Sequence, residues 1–486
     1  MTYFTQLYKS LDLNSPPLSG QVGSTPVLLN ACLVDGYSGS VSITGITKSS
    51  NVATATVSSA DGLKLKTGHV LTISGVTGGD ASLYNGTFTI TVASTTTFTY
   101  TMAGTPSANA PAGTFAGSLK LPITSITRGG TGNLTAFLTM SVNNTTLTTG
   151  TYVTIEGCSS TGAAQYNGTF KITVTGANTF TYQMVSDPGA DATVTGASYY
   201  KAGLQWSRPF SAGTNSQTYL SQTTVGAFGE SYTPRYLQII DNAATAGLGK
   251  ECQLYGAELM TADQVDTNRF PTSSQLANGL CFRKSTTADS TQRTWTVVGD
   301  EKTFSVYNWT ADASNNVFCG FGFGYFISTK AGDAYNTFVA GHSVFNSNSG
   351  GHGFFSMGWL VNSAGTGGFY IARSFTQAGG PIASGLSGAA TGSAALVISG
   401  AGQNFITLPN SSDNGYYVQP LFIQDGTGTL RGRLPGHYGS LQQSSLGHYD
   451  TLTNIVGLPD ITLTAINISS GNLPGLMLVD TFGPWT

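Results

Sequence analysis

One segment of this chain occurs twice, and that repetition constrains the fold more than any other feature. Residues 67–102 read TGHVLTISGVTGGDASLYNGTFTITVASTTTFTYTM, and residues 149–184 read TGTYVTIEGCSSTGAAQYNGTFKITVTGANTFTYQM. Three blocks recur in order at a constant offset of 82 residues: TGxxxTIxG (Thr67–Gly75, Thr149–Gly157), YNGTF (Tyr84–Phe88, Tyr166–Phe170) and TFTYxM (Thr97–Met102, Thr179–Met184). An offset held over three separate blocks marks a tandem duplication, so two copies of one small domain lie side by side.

Each copy has the period of β-structure. Leu71 and Ile73 alternate with Val70, Thr72 and Ser74, and Val153 and Ile155 repeat the scheme. Phe88, Ile90 and Val92, like Phe170, Ile172 and Val174, give further one-sided strands. The pairs Asn85-Gly86 and Asn167-Gly168 are turn chemistry feeding a strand, with glycine supplying positive φ; equivalent tight turns are expected in both copies. Each copy therefore reads as a small antiparallel β-sandwich or barrel.

The remainder is expected to be a β-rich body that the repeats interrupt. Residues 1–23 read as an extended arm, since Ser15-Pro16-Pro17 cannot continue a helix. Ser24 or Thr25 can cap a short helix, with Pro26 in its first turn, VLLNACLV running to Asp35 and Gly36 as the stop. After Tyr200 the strand candidates are 236–241, 253–259, 279–283, 295–300, 303–309, 318–328, 368–374 and 416–424, with one helical turn each expected in 261–268 and 331–341. The predicted plan is mainly β: 1–40, arm and helix, part of the body; 41–119, repeat 1; 120–199, repeat 2; 200–486, body. The chain is expected to enter and leave the insertion side by side near Tyr37 and Tyr199, and the insertion is expected to be removable. Residues 376–402, rich in Gly, Ala and Ser, are expected to be a loop that a neighbouring subunit orders.

Composition narrows the partners. Only 9% of residues are charged while 40% are hydrophobic, so a large core is available but a free monomer has little charge to keep it in solution. A net charge of −3 supplies no basic field for nucleic acid. No run of 18 apolar residues is present, and the N-terminus lacks the pattern of a secretory leader, so neither membrane insertion nor export is expected. Cys32, Cys158, Cys252, Cys281 and Cys319 form no CxxC pair and read as core thiols.

Several further stretches resemble a virion protein of tailed bacteriophages and prophages, including Mu-like ones. They are LLNACLVDGY (28–37), Trp206, Pro209-Phe210, FRKS (282–285), GFGFG (320–324), GDAY (332–335), YIARS (370–374) and RGRLPG (431–436). In that family the helix runs almost directly into the Trp segment, whereas here the two repeats intervene. The YNGTF/TFTY module itself looks like an Ig-like decoration of phage structural proteins. The resemblance implies a structural virion component of the tail (tip, nozzle, baseplate or fibre attachment), made in the host cytoplasm. It also implies a homo-oligomeric ring contacting other tail proteins and displaying Ig-like domains. A host-surface adhesin that binds polysaccharide is the alternative; a head or neck decoration protein and a tailspike depolymerase are weaker ones.

No catalytic, cofactor-binding or metal-ligating residue is expected. Asp300-Glu301 is the most visible acidic pair, but neighbours on a strand face opposite ways and Asp-Glu-Lys suits a hairpin turn. Asp263 and Asp266 could share a solvated helical face. His342 and His352, and His437 and His448, flank two loops without the spacing of a metal site. Gly320, Gly322 and Gly324 alternate with Phe321 and Phe323, which reads as a strand with one aromatic face and one face open to close backbone approach.

Overall fold

Hydroxyl-rich alternation and frequent turn residues produce a mainly β protein. The computed structural model describes residues 5–222, 233–242, 250–310, 317–342, 367–378, 380–383, 385–387, 415–425, 429–440, 446–467, 476–483 and 485. His352 and most of the 376–402 segment lie outside them.

Two compact units form. One comprises Met1–Leu7, Leu18–Pro26 and Leu204–Thr486; the other comprises Tyr8–Pro17 and Val27–Gly203. The arm and helix are thus shared by both units instead of belonging to the body alone, and residues 8–17 and 27–40 go with the repeats.

The first strand, β1 (Gln6–Lys9), is the edge strand of the large sheet of the body unit, beside Thr294–Gly299. Repeat 1 contains β2 (Ser40–Ser49), β3 (Val52–Val57), β4 (Val70–Ser74), β5 (Gly86–Thr89), β6 (Thr91–Val92), β7 (Thr97–Thr101) and β8 (Phe115–Ser118). Repeat 2 contains β9 (Leu121–Gly129), β10 (Thr135–Met140), β11 (Tyr152–Glu156), β12 (Gly168–Gly176), β13 (Thr179–Gln183) and β14 (Ser198–Lys201). Repeat 2 closes into a barrel, β10-β13-β12-β11-β14-β9; repeat 1 has the same order, β5-β4-β8-β2-β3-β7-β6, with β5 and β6 standing where β12 stands. Inward positions fill each interior: Ile46, Ala55, Ile73, Phe98 and Tyr100 in the first copy, Ile126, Leu138, Ile155, Phe180 and Tyr182 in the second. Each large apolar side chain buried this way contributes about 1.5–3 kcal/mol.

The recurring blocks each have a physical task. The Oγ1 atoms of Thr67 and Thr149 accept from the N–H of Val92 and Val174, both at 3.0 Å. The Tyr84 hydroxyl donates to Ala108 O and the Tyr166 hydroxyl to Ala190 O, both at 2.7 Å. Asn85 bridges a loop through the N–H and C=O of Val76 (3.0 and 2.7 Å), and Asn167 does the same to Cys158 (3.0 and 3.0 Å). Gly86 and Gly168 take φ of 148° and 143°. The Asn-Gly pairs are therefore equivalent in both copies. They sit where a short helical turn meets a strand, with Asn85 itself extended (φ −84°, ψ 138°), and not at a hairpin tip. The side-chain amide makes the bend by bonding across to a loop nine residues earlier.

In the body unit, an antiparallel sheet runs through Thr294–Gly299, Thr303–Thr310, Val317–Tyr325, Thr337–His342, Leu280–Arg283, Glu251–Ala262, Tyr236–Ile240, Ser216–Leu220 and Ser207–Ala212. A second sheet of seven strands includes Val418–Gln424, Leu430–Ser440, Leu476–Asp480 and Leu463–Asn467. Their facing sides share one core, with Val298, Tyr307, Phe338 and Phe369 from the first sheet and Leu421, Ile423, Leu434, Met477 and Val479 from the second. On the other face of the first sheet, Trp206 packs edge-on against Phe304 (5.2 Å) and Phe323 (6.0 Å).

Three local expectations are corrected. Residues 261–268 form the end of a hairpin, in which Ala262 pairs with Val265 and Met260 with Asp266, and no helical turn. The strand Glu251–Ala262 runs unbroken into this hairpin, and Gln264 closes the two-residue loop at φ 58°. Residues 331–341 supply turns and then the buried strand Thr337–His342. The helical segment is α only over Ser24–Leu29 and continues as a π-helical turn, Asn30–Asp35. Its first N–H groups are met from far along the chain, since Thr25 N donates to Asp241 Oδ2 at 3.0 Å, while the Ser24 hydroxyl donates back to Ser19 O. Gly36 ends it at φ 66°, where a Cβ would stand 2.4 Å from Lys201 O.

Candidate functional site

The strongest concentration of buried polar contacts in the repeat unit is where residues 8–17 lie along both repeats. Beyond β1, residues 10–17 of this proline-containing arm lie in no ladder and must satisfy their backbone elsewhere. Here they do so with side chains of the repeats. The Nδ2 of Asn14 donates to Val70 O (2.8 Å) and Leu119 O (2.6 Å), and its Oδ1 accepts from Val70 N (2.8 Å). Leu13 N donates to Thr146 Oγ1 of repeat 2 at 2.9 Å. Lys66 of repeat 1 reaches Ser10 O (2.6 Å) and Ser15 Oγ (2.5 Å). His69 Nε2 donates to Ser15 O at 2.8 Å while its Nδ1 accepts from Lys66 N at 3.4 Å, which fixes the neutral tautomer. Burial, with Lys66 beside it, pulls the His69 imidazole down to about 3; burial pulls the Lys66 ammonium down to about 8.

At the base of the arm, Asp12 Oδ2 accepts from Lys201 Nζ (2.7 Å), Lys9 N (3.0 Å) and the Tyr37 hydroxyl (3.3 Å). Asp12 and Lys201 are 6% and 8% exposed, so breaking the pair from one side would leave a buried charge and cost about 3–5 kcal/mol. The ammonium also lies over the rings of Tyr8 (5.0 Å) and Tyr37 (5.9 Å), and the Tyr8 hydroxyl donates to Ala202 O (2.7 Å). Burial first and Asp12 second push the Tyr37 phenol well above its ordinary range. Tyr37 N donates to Lys201 O at 2.9 Å, so the chain enters and leaves the repeats side by side. A recess lined by Asp12, Asn14, Tyr37, Asn144, Tyr199 and Lys201 has room for about one water molecule, far less than the several hundred Å³ a small-molecule site needs. This clasp joins the two repeats and the arm into one body, with the Asp12, Asn14, His69 and Lys201 side chains engaged in its bonds.

The residues singled out in the sequence are placed apart. Asp300 and Glu301 make the turn between Thr294–Gly299 and Thr303–Thr310, where Asp300 Oδ1 accepts from Lys302 N (2.9 Å) and Thr303 N (2.7 Å). Burial, and then Glu301, raise the Asp300 carboxyl to about 7. Asp263 accepts from Ser216 Oγ (2.7 Å) and Gln238 Nε2 (3.0 Å) at its hairpin and shares no helical face with Asp266. His342 ends a buried strand. His437 Nδ1 donates to Pro435 O (2.7 Å) between the rings of Tyr307 and Trp485, and burial lowers it to about 4. His448 lies tilted against Tyr449 and edge-on to Trp309. Gly324 lies so close to the neighbouring strand that a Cβ would meet Lys302 O at 2.3 Å. All five cysteines are buried and free. Among the described residues, no group of three or more His, Cys, Asp or Glu is arranged to hold a metal ion.

Sequence reasoning missed the clasp residues Asp12, Asn14, Lys66, His69 and Lys201. A signal for His69 was present: repeat 2 has Thr151 where repeat 1 has His69, so a departure between otherwise matching copies marked a contact that only one copy makes. No family model matches the chain, and no curated protein matches it.

Proposed function

We propose that this protein is a structural subunit of a bacteriophage tail, in which the body unit assembles as a ring and the tandem repeats are displayed as Ig-like modules. The observation that carries the reading is the clasp: buried bonds from one arm hold both repeats as a stiff pair, as suits a spacer and not a flexible tether. Sparse charge, 9% of residues, supports a chain that covers its surface by assembly. The Ig-like kinship is part of the proposal. Copy size and all-antiparallel strands support it, although the closed order of repeat 2 differs from a two-sheet sandwich. Contact with host glycan is a second role, which an exposed aromatic on repeat 2 favours.

Light scattering of the purified full chain at micromolar concentration tests the assembly. A mass of several 50.3 kDa protomers is expected, together with antibody labelling at the tail of the particle. A stable monomer that never enters a particle refutes the proposal.

A further inference from the structure

Where the two copies agree, they specify the shared barrel; where they differ at an exposed position, the difference calls for another cause. The register makes the comparison residue by residue. Ile126, Leu138 and Phe180 form one cross-strand row in repeat 2, and Ile46, Ala55 and Phe98 form the same row in repeat 1. The adjacent, outward-facing row in repeat 1 is Thr47, Thr54, Thr99 and Thr91 on four neighbouring strands. In repeat 2 it is Thr127, Phe137, Thr181 and Thr173. A phenylalanine, 46% exposed, replaces one threonine in a row of threonines.

A second difference accompanies it. Gly129 pairs with Thr135 as Ser49 pairs with Val52, so glycine replaces serine on the strand beside the ring. A Cβ at Gly129 would stand 2.9 Å from Phe137 Cε2. The missing side chain lets the ring settle on the backbone of β9, which supports one side of it and leaves the other to solvent. A single exposed apolar residue is ordinary. A ring bedded on a glycine, with both changes confined to the same copy, is a built surface.

We propose that this face of repeat 2 binds a neutral polysaccharide of hexopyranose units, with Phe137 as the stacking platform. The apolar C–H face of a pyranose suits a supported aromatic ring. Thr127 and Thr181 flank the ring within its row and offer donors and acceptors to sugar hydroxyls on both sides. The Gln183 amide, which donates to Thr135 Oγ1 at 3.1 Å, lies in the next row. No other large apolar side chain is exposed in these rows, so a protein partner would find little to bury. Lys171, two residues from Thr173 on the same strand, ends the Gln183 row and is turned over the Tyr152 ring at 5.7 Å, and the row of the ring itself, Thr127, Phe137, Thr181 and Thr173, carries no formal charge. That favours a neutral glycan over an acidic one. The inference stands on repeat 2 alone and does not require the virion reading.

The test is affinity electrophoresis of the full chain in native gels containing dextran, mannan, galactan or amylopectin, with dextran sulfate as the charged comparison. At least one neutral polymer should retard the protein. Phe137→Thr, which installs the residue of the sister copy and should leave the melting temperature unchanged, should weaken that retardation by about tenfold or more. Phe137→Tyr, which keeps the ring, should preserve it. Equal retardation of the parent and Phe137→Thr overturns the proposal, as does retardation by none of the neutral polymers or by dextran sulfate alone. Protomer mass in light scattering does not depend on Phe137, so failure here is distinguishable from failure of the assembly reading.

Discussion

Replacing Asn14 with alanine should be among the most damaging single changes in the arm. The side chain makes three buried hydrogen bonds, to Val70 N, Val70 O and Leu119 O. Removing it leaves the Val70 N–H unpaired at a cost of about 1–3 kcal/mol, and each carbonyl loses about 0.5–1.5 kcal/mol of net bonding. Asn14 also sits at φ 57°, where alanine costs about 1 kcal/mol more than a residue that tolerates the left-handed region. Together these give a loss of about 4 kcal/mol. Asn14→Gly loses the same bonds but not the backbone strain, so it should be milder by about 1 kcal/mol. All five tryptophans lie at position 206 or beyond, so their fluorescence follows the body, and the repeats are read by hydrogen exchange of amides in β4 and β8. A loss of about 4 kcal/mol corresponds to roughly a thousandfold faster exchange where opening precedes exchange. An acceleration below about tenfold, or a glycine variant worse than the alanine variant, would refute the assignment of Asn14 as the keystone of the clasp.

The duplicated asparagines should behave as twins: Asn85→Ala and Asn167→Ala each remove two loop-bridging bonds, and each should cost about 2 kcal/mol in denaturant unfolding, additively in the double variant. Markedly unequal costs would mean that the two bends are not equivalent. For Asp300 the sign follows from its raised carboxyl: the favourable contribution is complete below about pH 4, the ordinary carboxylate value, and is lost as pH rises to about 7. Asp300→Asn keeps an acceptor oxygen, so tryptophan-monitored unfolding should find it equal to the parent at pH 4 and more stable by about 1 kcal/mol or more at pH 8; a variant less stable at pH 8 would count against that burial argument.

The barrels were legible because their determinants are local. Period-two alternation and the blocks around Thr67, Asn85 and Tyr100 act within one copy, and duplication printed the same determinants twice. Barrel closure was less legible, since the sandwich and the barrel share one alternating pattern and differ only in which outer strands meet. The clasp was illegible for a different reason. Asn14 is 56 residues from Val70 and Asp12 is 189 from Lys201, and no periodicity links such partners. The same holds for the helix start, where the cap lies 216 residues away at Asp241 and displaces Ser24 from that role. At 261–268 the three-residue spacing of Asp263 and Asp266 suggested a helix, but strand pairing across Met260 and Asp266 outweighed it.

The alternation of the N-terminal chain between units has a consequence for how the protein is made. Residues 8–17 belong with the repeats, but 18–26 belong with strands more than two hundred residues later, where Lys284 Nζ meets Gln21 O and Asp241. On a ribosome adding about 5–20 residues per second, the repeat unit can complete its clasp once Lys201 has emerged, whereas residues 18–26 wait on the order of 10–50 s more or less idle for their partners. Translation therefore passes through a stage with a finished repeat unit and an unattached segment beside it, during which that segment is open to chaperones or to a neighbouring nascent chain. The same threading bears on excision: cutting out 41–198 would strip residues 8–17 and 27–40 of the surfaces they fold against. The repeat unit thus includes N-terminal residues that lie outside 41–198, so a variant lacking 41–198 should be less stable than the parent in a thermal melt.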